Sequence, residues 1–469
     1  MAITRSAPAD VLVPAPVAAA DFGDAVAAAL GQGDRLLTLC RLPGGEVGAV
    51  CDAPEGVRGW RAAGDGPLAR PSASGVVAAL HDEARLEAEG VAWSTPAPQV
   101  RVHGAGVFTF PLGPVRADVA ECAAWRLFVM GDEVLGLHMG FGYKTRGMER
   151  AMAEAGPEAG VLVAERVTAT SVVAHAVAYA QAWEAALGIP PSPGAVAWRG
   201  VLAELERLHS HLGDLATLAA STGLPVAQAE LILLREQMLR LNQDVTGHRY
   251  LRGVVGVGGL RRRPERGALA PARLTDMLAT FADVIDELDG STSFLDRLHG
   301  AGRIPAAWAA AVQPVGPVGR AAGVPYDVRT DRPYGPYLRG APAPALETDA
   351  DAWARYRVRV REVEASVAWL LERLRSPRAL DEGPVVPSQS LPAHPVSGAG
   401  ATAMALGRAE GPRGEVCYLV SPAGAWVRVR PASAVNWAVL PPAVAENNVM
   451  QDVPIIDASF GLSVAAMDR

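Results

Sequence analysis

The residues best able to do chemistry lie in two stretches near the middle of the chain. His175 and Glu184 interrupt an apolar run over residues 167–187, and Glu204, Arg207, His209 and His211 follow within RGVLAELERLHSHLGDL. An imidazole among Val172, Val173, Ala174 and Val177 is set for a buried position, where it is either a hydrogen-bonded core histidine or a proton relay. Arg146, Glu149, Glu165 and Arg166 lie shortly upstream. Arg146, Glu149, Arg166, His175 and Glu184 form a candidate charged network, because buried charges are costly unless paired and concentrate at functional sites. The competing reading is structural. In it, Arg166 and Glu184 are helix-packing ion pairs, and Glu204, Arg207 and His209 lie on a solvated helix face.

Other chemistries lack their residues. The four cysteines, Cys40, Cys51, Cys122 and Cys417, are dispersed and form no C-x-x-C. That excludes a zinc ribbon and argues against a disulfide scaffold, so a reduced, cytosolic compartment is expected. The glycines between Gly253 and Gly259 lack the Lys-Ser/Thr of a phosphate loop and read as a turn. No Ser-His-Asp or H-E-x-x-H arrangement is legible. A net charge of −7 gives no sign of nucleic-acid binding. No signal peptide is read at the N-terminus. Residues 167–187 are numerous enough to span a bilayer, but His175, Gln181 and Glu184 make the run a buried core helix.

These groups must be positioned by a helical core. Leu205, Leu208, Leu212 and Leu215 recur at spacings of three and four, which places them on one helix face. The break IPPSPG before them predicts two helices packed antiparallel with polar groups between. Further helices are expected over 227–246, 273–288 and 353–374. Alternating apolar residues on either side of Met130-Gly131-Asp132 predict a β-hairpin, followed by GYKTRGME. The fold class is therefore α+β: a central helix bundle with β-hairpins, plus a small N-terminal α+β domain. The latter spans residues 1–100, with strands near 36–39 and 47–50 joined by a turn at 43–45, and a helix over 76–89. A core follows over 107–374. A Pro/Ser-rich linker covers 375–400, and a C-terminal hairpin and tail over 401–469 complete the core.

Many ordered, colinear motifs carry a resemblance. They include Gly142-Tyr143 with Arg146-Gly147 and Glu149, Arg166 with His175, Ala178-Tyr179 and Glu184, and Arg199 with Glu204-Leu205-Glu206-Arg207 and Ser210-His211-Leu212. Gly316-Pro317-Val318, Pro412-Arg413-Gly414-Glu415 and the closing Met467-Asp468-Arg469 continue the series. From about residue 107 to the last residue, the chain resembles the family of the complex I 49-kDa subunit and the [NiFe]-hydrogenase large subunits. Within it, the hydrogenase-4 and formate-hydrogenlyase large subunits are most similar in having a fused N-terminal part. In the hydrogenase branch, four thiolates from two C-x-x-C pairs hold nickel and iron. The matching segments here, 167–171 and 459–469, contain no cysteine, and Ser and Thr hydroxyls are poor ligands for soft metals. In the complex I branch a His and a Tyr serve the quinone. Those positions fall near Ala124 and Ala169, and a further His position is Arg116.

The resemblance thus implies a degenerate cavity near Ala124, Ala169 and Ser463, no metal, and no cofactor bound by this chain. It implies a peripheral large subunit of a membrane-bound complex I-like or energy-converting hydrogenase-related complex, on the cytoplasmic face of the cell membrane. The expected partners are a small iron–sulfur subunit carrying a [4Fe–4S] cluster and antiporter-like membrane subunits. The expected role is structural or ion-pump coupling, with the charged network facing that task. The alternative is an NADH-quinone oxidoreductase-type subunit lining a pocket for quinone or another electron acceptor.

Overall fold

The computed structural model describes residues 11–12, 15–32, 34–42, 46–54, 56–62, 102–115, 121–375, 380–382, 391, 404–421 and 426–469. The expected 43–45 turn, the 76–89 helix, position 116 and most of the 375–400 linker lie outside these residues. The helical elements that matter below are α1 (Phe22–Gly31), α2 (Met148–Ala164), α3 (Val172–Leu187), α4 (Pro193–Ser221), α5 (Pro225–Thr246), α6 (Pro271–Asp289), α7 (Ala352–Arg375) and α8 (Val453–Phe460).

Local sequence accounts for the two central helices. At the start of α4, Ser192 accepts a hydrogen bond from the Ala195 amide at 3.2 Å, and Pro193 occupies the first turn, where its missing N–H has no cost. The end of α3 is set by Gly188 in the left-handed region, the usual helix stop. Its start is unusual. Ser171 does not cap it with its side chain; instead the Glu206 carboxylate, reaching over from α4, accepts from the Val173 and Ala174 amides at 2.7 and 3.0 Å. The unpaired N–H groups of a helix start are thus satisfied by the neighbouring helix. The helix expected across 167–187 begins only at Val172, and residues 165–171 form a turn.

α2 carries a break at Gly156, whose backbone is non-helical, followed by Pro157. The carbonyl released at Gly156 accepts the Tyr179 hydroxyl at 3.0 Å, which fastens α2 to α3.

Three larger sheets accompany the helices among the described residues, beside a two-stranded ribbon of Val255–Gly256 and Gly259–Leu260. Strands β1 (Val11–Leu12), β2 (Ala15–Pro16), β3 (Arg35–Arg41), β4 (Val47–Ala53) and β5 (Gly56–Ala62) come from the N-terminal part. Strands β6 (Val107–Leu112), β7 (Ala124–Met130) and β8 (Glu133–Gly140) form the expected hairpin with an added edge strand. Strands β9 (Met404–Gly411), β10 (Gly414–Ser421) and β11 (Trp426–Arg430) lie near the C-terminus. The N-terminal sheet has the order β2-β5-β4-β3, while β1 leaves it and pairs with β9 in a second sheet, β1-β9-β10-β11.

The C-terminal sheet is buried on both faces, as period-two alternation shows. Ala405, Ala409, Val416, Tyr418 and Val429 join the main core around α3. Met404, Leu406, Cys417 and Leu419 meet Leu37, Cys40, Leu42 and Val50 of the N-terminal sheet. On the far side of that sheet, Phe22 and Val26 of α1 pack on Leu39, Ala49 and Cys51. The order of layers is α3, C-terminal sheet, N-terminal sheet, α1. The sheet lies very close to α3: a Cβ built on Gly407 would stand 2.0 Å from the Ala178 carbonyl oxygen. Only glycine fits there.

Candidate functional site

The two segments that should face each other if the colinear motifs are aligned correctly, 165–171 and 459–469, do meet. Arg146, in the loop before α2, donates to the carbonyls of Arg166 and Val167 at 2.7 and 2.8 Å and to that of Ala465 at 2.6 Å. Arg413, in the turn between β9 and β10, reaches the Thr170 hydroxyl and the Gly461 carbonyl. It also pairs with Asp214 of α4 at 2.9 Å. Two guanidinium groups therefore bridge the segments.

The hairpin reaches the same tail. Glu121, three residues before Ala124, accepts from the Val464 and Ala465 amides and from the Ser463 hydroxyl, the last at 3.2 Å. Of the three positions expected to line a degenerate cavity, Ser463 lies in this tail, and Ala124 and Ala169 lie near residues that contact it, Glu121 and Thr170 with Arg413. Ala124 opens β7, Ala169 is exposed at the edge of the turn, and Ser463 is buried with its carbonyl on the Trp437 indole at 3.1 Å. The groups facing one another are hydroxyls, carbonyls, methyls and guanidiniums. The Glu121 and Asp214 carboxylates join them, and neither 165–171 nor 459–469 holds a cysteine, so this set does not suit a nickel–iron centre.

The five residues of the candidate network separate into groups. Glu149 is buried at the start of α2, where it accepts from the Val429 amide at 3.0 Å and lies 3.4 Å from Arg428 and from Arg469. His175 shares its Nδ1 with the Tyr418 hydroxyl at 2.8 Å. Its Nε2 is buried and has no partner among the described residues. Burial, helped by the nearby Arg146 and Arg469 charges, pushes His175 down to about 3, so it is a neutral imidazole at any physiological pH. Arg146, Glu149 and His175 thus share one neighbourhood with Tyr418 and Arg469. Arg166 does not join it: it is exposed and bonds the Leu162 carbonyl one turn back. Glu184 lies nine residues beyond His175, about 14 Å along the helix axis. It pairs bidentately with Arg199 of α4, at 2.5 and 3.0 Å.

The expectation of a solvated face on α4 is overturned. Glu204 and Arg207 have no exposed surface, and His209 is 2% exposed. The reason is tertiary: the polar face of α4 meets the 316–331 segment, α7 and β9. Arg207 pairs with Glu204 and Glu362, Arg329 with Glu204 and Asp327, and Arg320 with Asp327, Glu362 and Glu410. His211 adds a 2.8 Å contact to Glu362, and Tyr337 donates to Glu204 at 2.5 Å. Opposed charges hold Glu362 well below the usual carboxylate range despite its burial. Burial and the adjacent Asp327 push Glu410 up, to about 7.

Two more carboxyls are shifted toward neutrality. Burial raises Glu206, the cap of α3, to about 8, and raises Glu165 to about 7. Sequence reasoning placed Glu206 and Arg413 within ELER and PRGE but gave them no part. Asp214 and Glu121 carried no signal, because their partners are distant in the chain.

A second buried cluster joins the N-terminal sheet to this core. Arg35, Arg408 and Arg430 surround Glu415, Arg408 also pairs with Asp52, and the Arg35 guanidinium lies 3.4 Å from the centre of the Tyr326 ring. A cavity of about 730 Å3 lies beside it, lined from α3, the start of α4, residues 331–337 and β9. Neither Ala124, Ala169 nor Ser463 lines it.

Among known proteins, formate hydrogenlyase subunit 5 of Escherichia coli (strain K12) is 29% identical over 371 residues, which is 76% of this chain and 62% of that protein. Hydrogenase-4 component G of the same organism is 28% identical over 397 residues, covering 82% and 66%. An NADH-quinone oxidoreductase subunit of Dehalococcoides mccartyi is 28% identical over 372 residues, covering 77% and 98%. The chain thus spans slightly less than two thirds of the two Escherichia coli relatives and nearly all of the last. Residues 227–469, more than half of the chain, match the family described as respiratory-chain NADH dehydrogenase, 49 Kd subunit. With that match and the meeting of its two distant segments around Arg146 and Arg413, the chain belongs to the 49-kDa subunit family of the respiratory-chain NADH dehydrogenase.

Proposed function

We propose that the chain is a metal-free large subunit of a membrane-bound complex of the complex I and energy-converting hydrogenase kind, with a structural or ion-pump coupling role. The observation that carries this reading is the bridging of the 165–171 turn to the tail. The segments that hold thiolates in hydrogenases are kept face to face, but by Arg146 and Arg413 rather than by a metal. No helix among the described residues is long and apolar enough to cross a membrane, so attachment runs through partners. The partners of this reading are a small iron–sulfur subunit with a [4Fe–4S] cluster and antiporter-like membrane subunits, with the chain on the cytoplasmic face. The buried carboxyls raised toward neutrality, Glu165, Glu206 and Glu410, are the groups able to take up and release protons in a coupling role.

The test is purification of the intact complex from native membranes, followed by metal analysis and an acceptor assay. The expected result is co-purification of the partners with no nickel assigned to this chain and no acceptor-dependent turnover that requires the bridged turn and tail. Stoichiometric nickel would overturn the metal-free reading. Photo-crosslinking of a quinone analogue near Ala124 and Ala169, together with quinone-dependent turnover, would replace the coupling role with that of an acceptor-lining subunit. Ala169 is exposed in the turn bridged to the tail, which is the observation that keeps this second reading.

A further inference from the structure

The cavity of about 730 Å3 between α3, α4 and β9 lies outside the bridged turn and tail and has no part in the reading above. Its size is that of a small-molecule site. Val177, Ala185, Ile189, Val196, Pro336 and Leu406 give it apolar walls. Of its charged residues, Asp331 is exposed and takes only the Asp327 amide and the Thr330 hydroxyl, and the others are matched. Both Glu184 oxygens are engaged by Arg199, and one also by the Gly258 amide. Arg332 and Arg408 are both held by Asp52. A charged ligand would find no free counter-charge among these pairs.

Two donors remain unused. The Arg199 side chain is 4% exposed, and its Nε–H is buried with no acceptor among the described residues. The Tyr334 hydroxyl accepts from the Glu410 amide at 2.9 Å, which leaves its own proton free to donate. Burial raises Tyr334 well above the usual phenol range, so that proton stays in place. Buried donors without acceptors carry a desolvation cost that a ligand oxygen would relieve.

We propose that this cavity binds a neutral, mainly apolar molecule of one or two fused rings, with a carbonyl or ether oxygen that accepts from Tyr334. Both the N-terminal unit, through Pro54 and Gly56, and the helical core line the cavity, so occupancy would tie the two together.

The test uses the full chain with N-phenyl-1-naphthylamine as a fluorescent probe. Two competitors of the same ring, 2-acetonaphthone with a carbonyl and 2-ethylnaphthalene without one, displace it. The expected result is saturable binding at one site, with the ketone displacing the probe at about tenfold lower concentration, the effect of one well-formed hydrogen bond. Tyr334→Phe should erase that ratio and leave displacement by 2-ethylnaphthalene unchanged. Val196→Trp should fill the cavity and abolish binding of all three, at an unchanged unfolding midpoint. Absence of saturable binding, a ratio that survives Tyr334→Phe, or full binding to a folded Val196→Trp protein would each overturn the proposal. If Val196→Trp fails to fold, the ratio in wild type and Tyr334→Phe decides alone.

Discussion

Glu206 offers the sharpest measurement. Its carboxyl caps α3 from the neighbouring helix, with two backbone amides directed at it. Two effects oppose each other. Backbone donors at a helix start favour the carboxylate, while complete burial favours the acid, and burial prevails to place the group at about 8 instead of the usual 4.5. A carboxyl raised in the folded state contributes most below pH 4.5, and that contribution is lost as pH rises toward 8. At 1.36 kcal/mol per pH unit across that window, the loss sums to about 5 kcal/mol as an upper limit, since relaxation around the charge trims it. Glu206→Gln removes the titration but keeps the shape. It loses one of two amide contacts, at a cost of about 1 kcal/mol. Denaturant unfolding of both proteins from pH 5 to 9 gives the difference in stability, in which most other titrating groups cancel. Wild type should lead at pH 5 and fall steadily relative to the variant, with the order reversed by pH 8. A flat difference over that range would mean that Glu206 is ionised throughout and that the helix start outweighs burial.

Three further outcomes follow from the packing. Gly407→Ala places a methyl 2.0 Å from the Ala178 carbonyl oxygen, so β9 must shift from α3. The expected loss is about 3 kcal/mol, read as a lower unfolding midpoint, and a loss below about 0.5 kcal/mol would contradict the close approach. Arg199→Met strands the buried Glu184 and should cost about 3–5 kcal/mol, whereas adding Glu184→Leu should recover much of it. His175 is held down to about 3, below its unfolded value of about 6.5. Its contribution is complete above pH 6.5 and lost as pH falls toward 3, so His175→Gln should flatten the acid limb of the stability curve measured by denaturant unfolding.

How much of this was legible depended on where the partners came from. α4 announced itself through Leu205, Leu208, Leu212 and Leu215, and the β7–β8 hairpin through its alternation, because those signals are local. α2 was missed: Gly156-Pro157 cuts it, and its Ala, Gly and Glu residues set no clear period. β9, MALGRAEG, was missed for another reason. It has no β-branched residue and is a strand because β10, β1 and α3 hold it so. Glu204, Arg207 and His209 looked like a wet helix face because nothing in ELERLHSHL shows that Arg320, Arg329, Glu362 and Glu410 will arrive from residues more than a hundred positions away. The meeting of the 165–171 turn with the tail was inferable from ordered motifs. Its agents, Arg146 and Arg413, belong to those motifs, but only the fold shows where they reach.

The buried lattice also explains how the 165–171 turn and the 459–469 tail stay together with no cysteine in either. A metal centre cross-links the segments that bind it, and removing the ligands removes that link. Here Arg146 and Arg413 tie the same segments through carbonyls, a hydroxyl and Asp214. Behind them, three arginines and four carboxylates bind α4, the 316–331 segment, α7 and β9. Three positive charges against four negative ones leave the lattice one charge short of neutral unless a carboxyl holds a proton. Glu410, pushed up to about 7, is the member placed to hold it. On the proposed reading, the lattice that holds the fold together is also the place where a proton is held near neutral pH, so the structural and the coupling role fall on the same side chains.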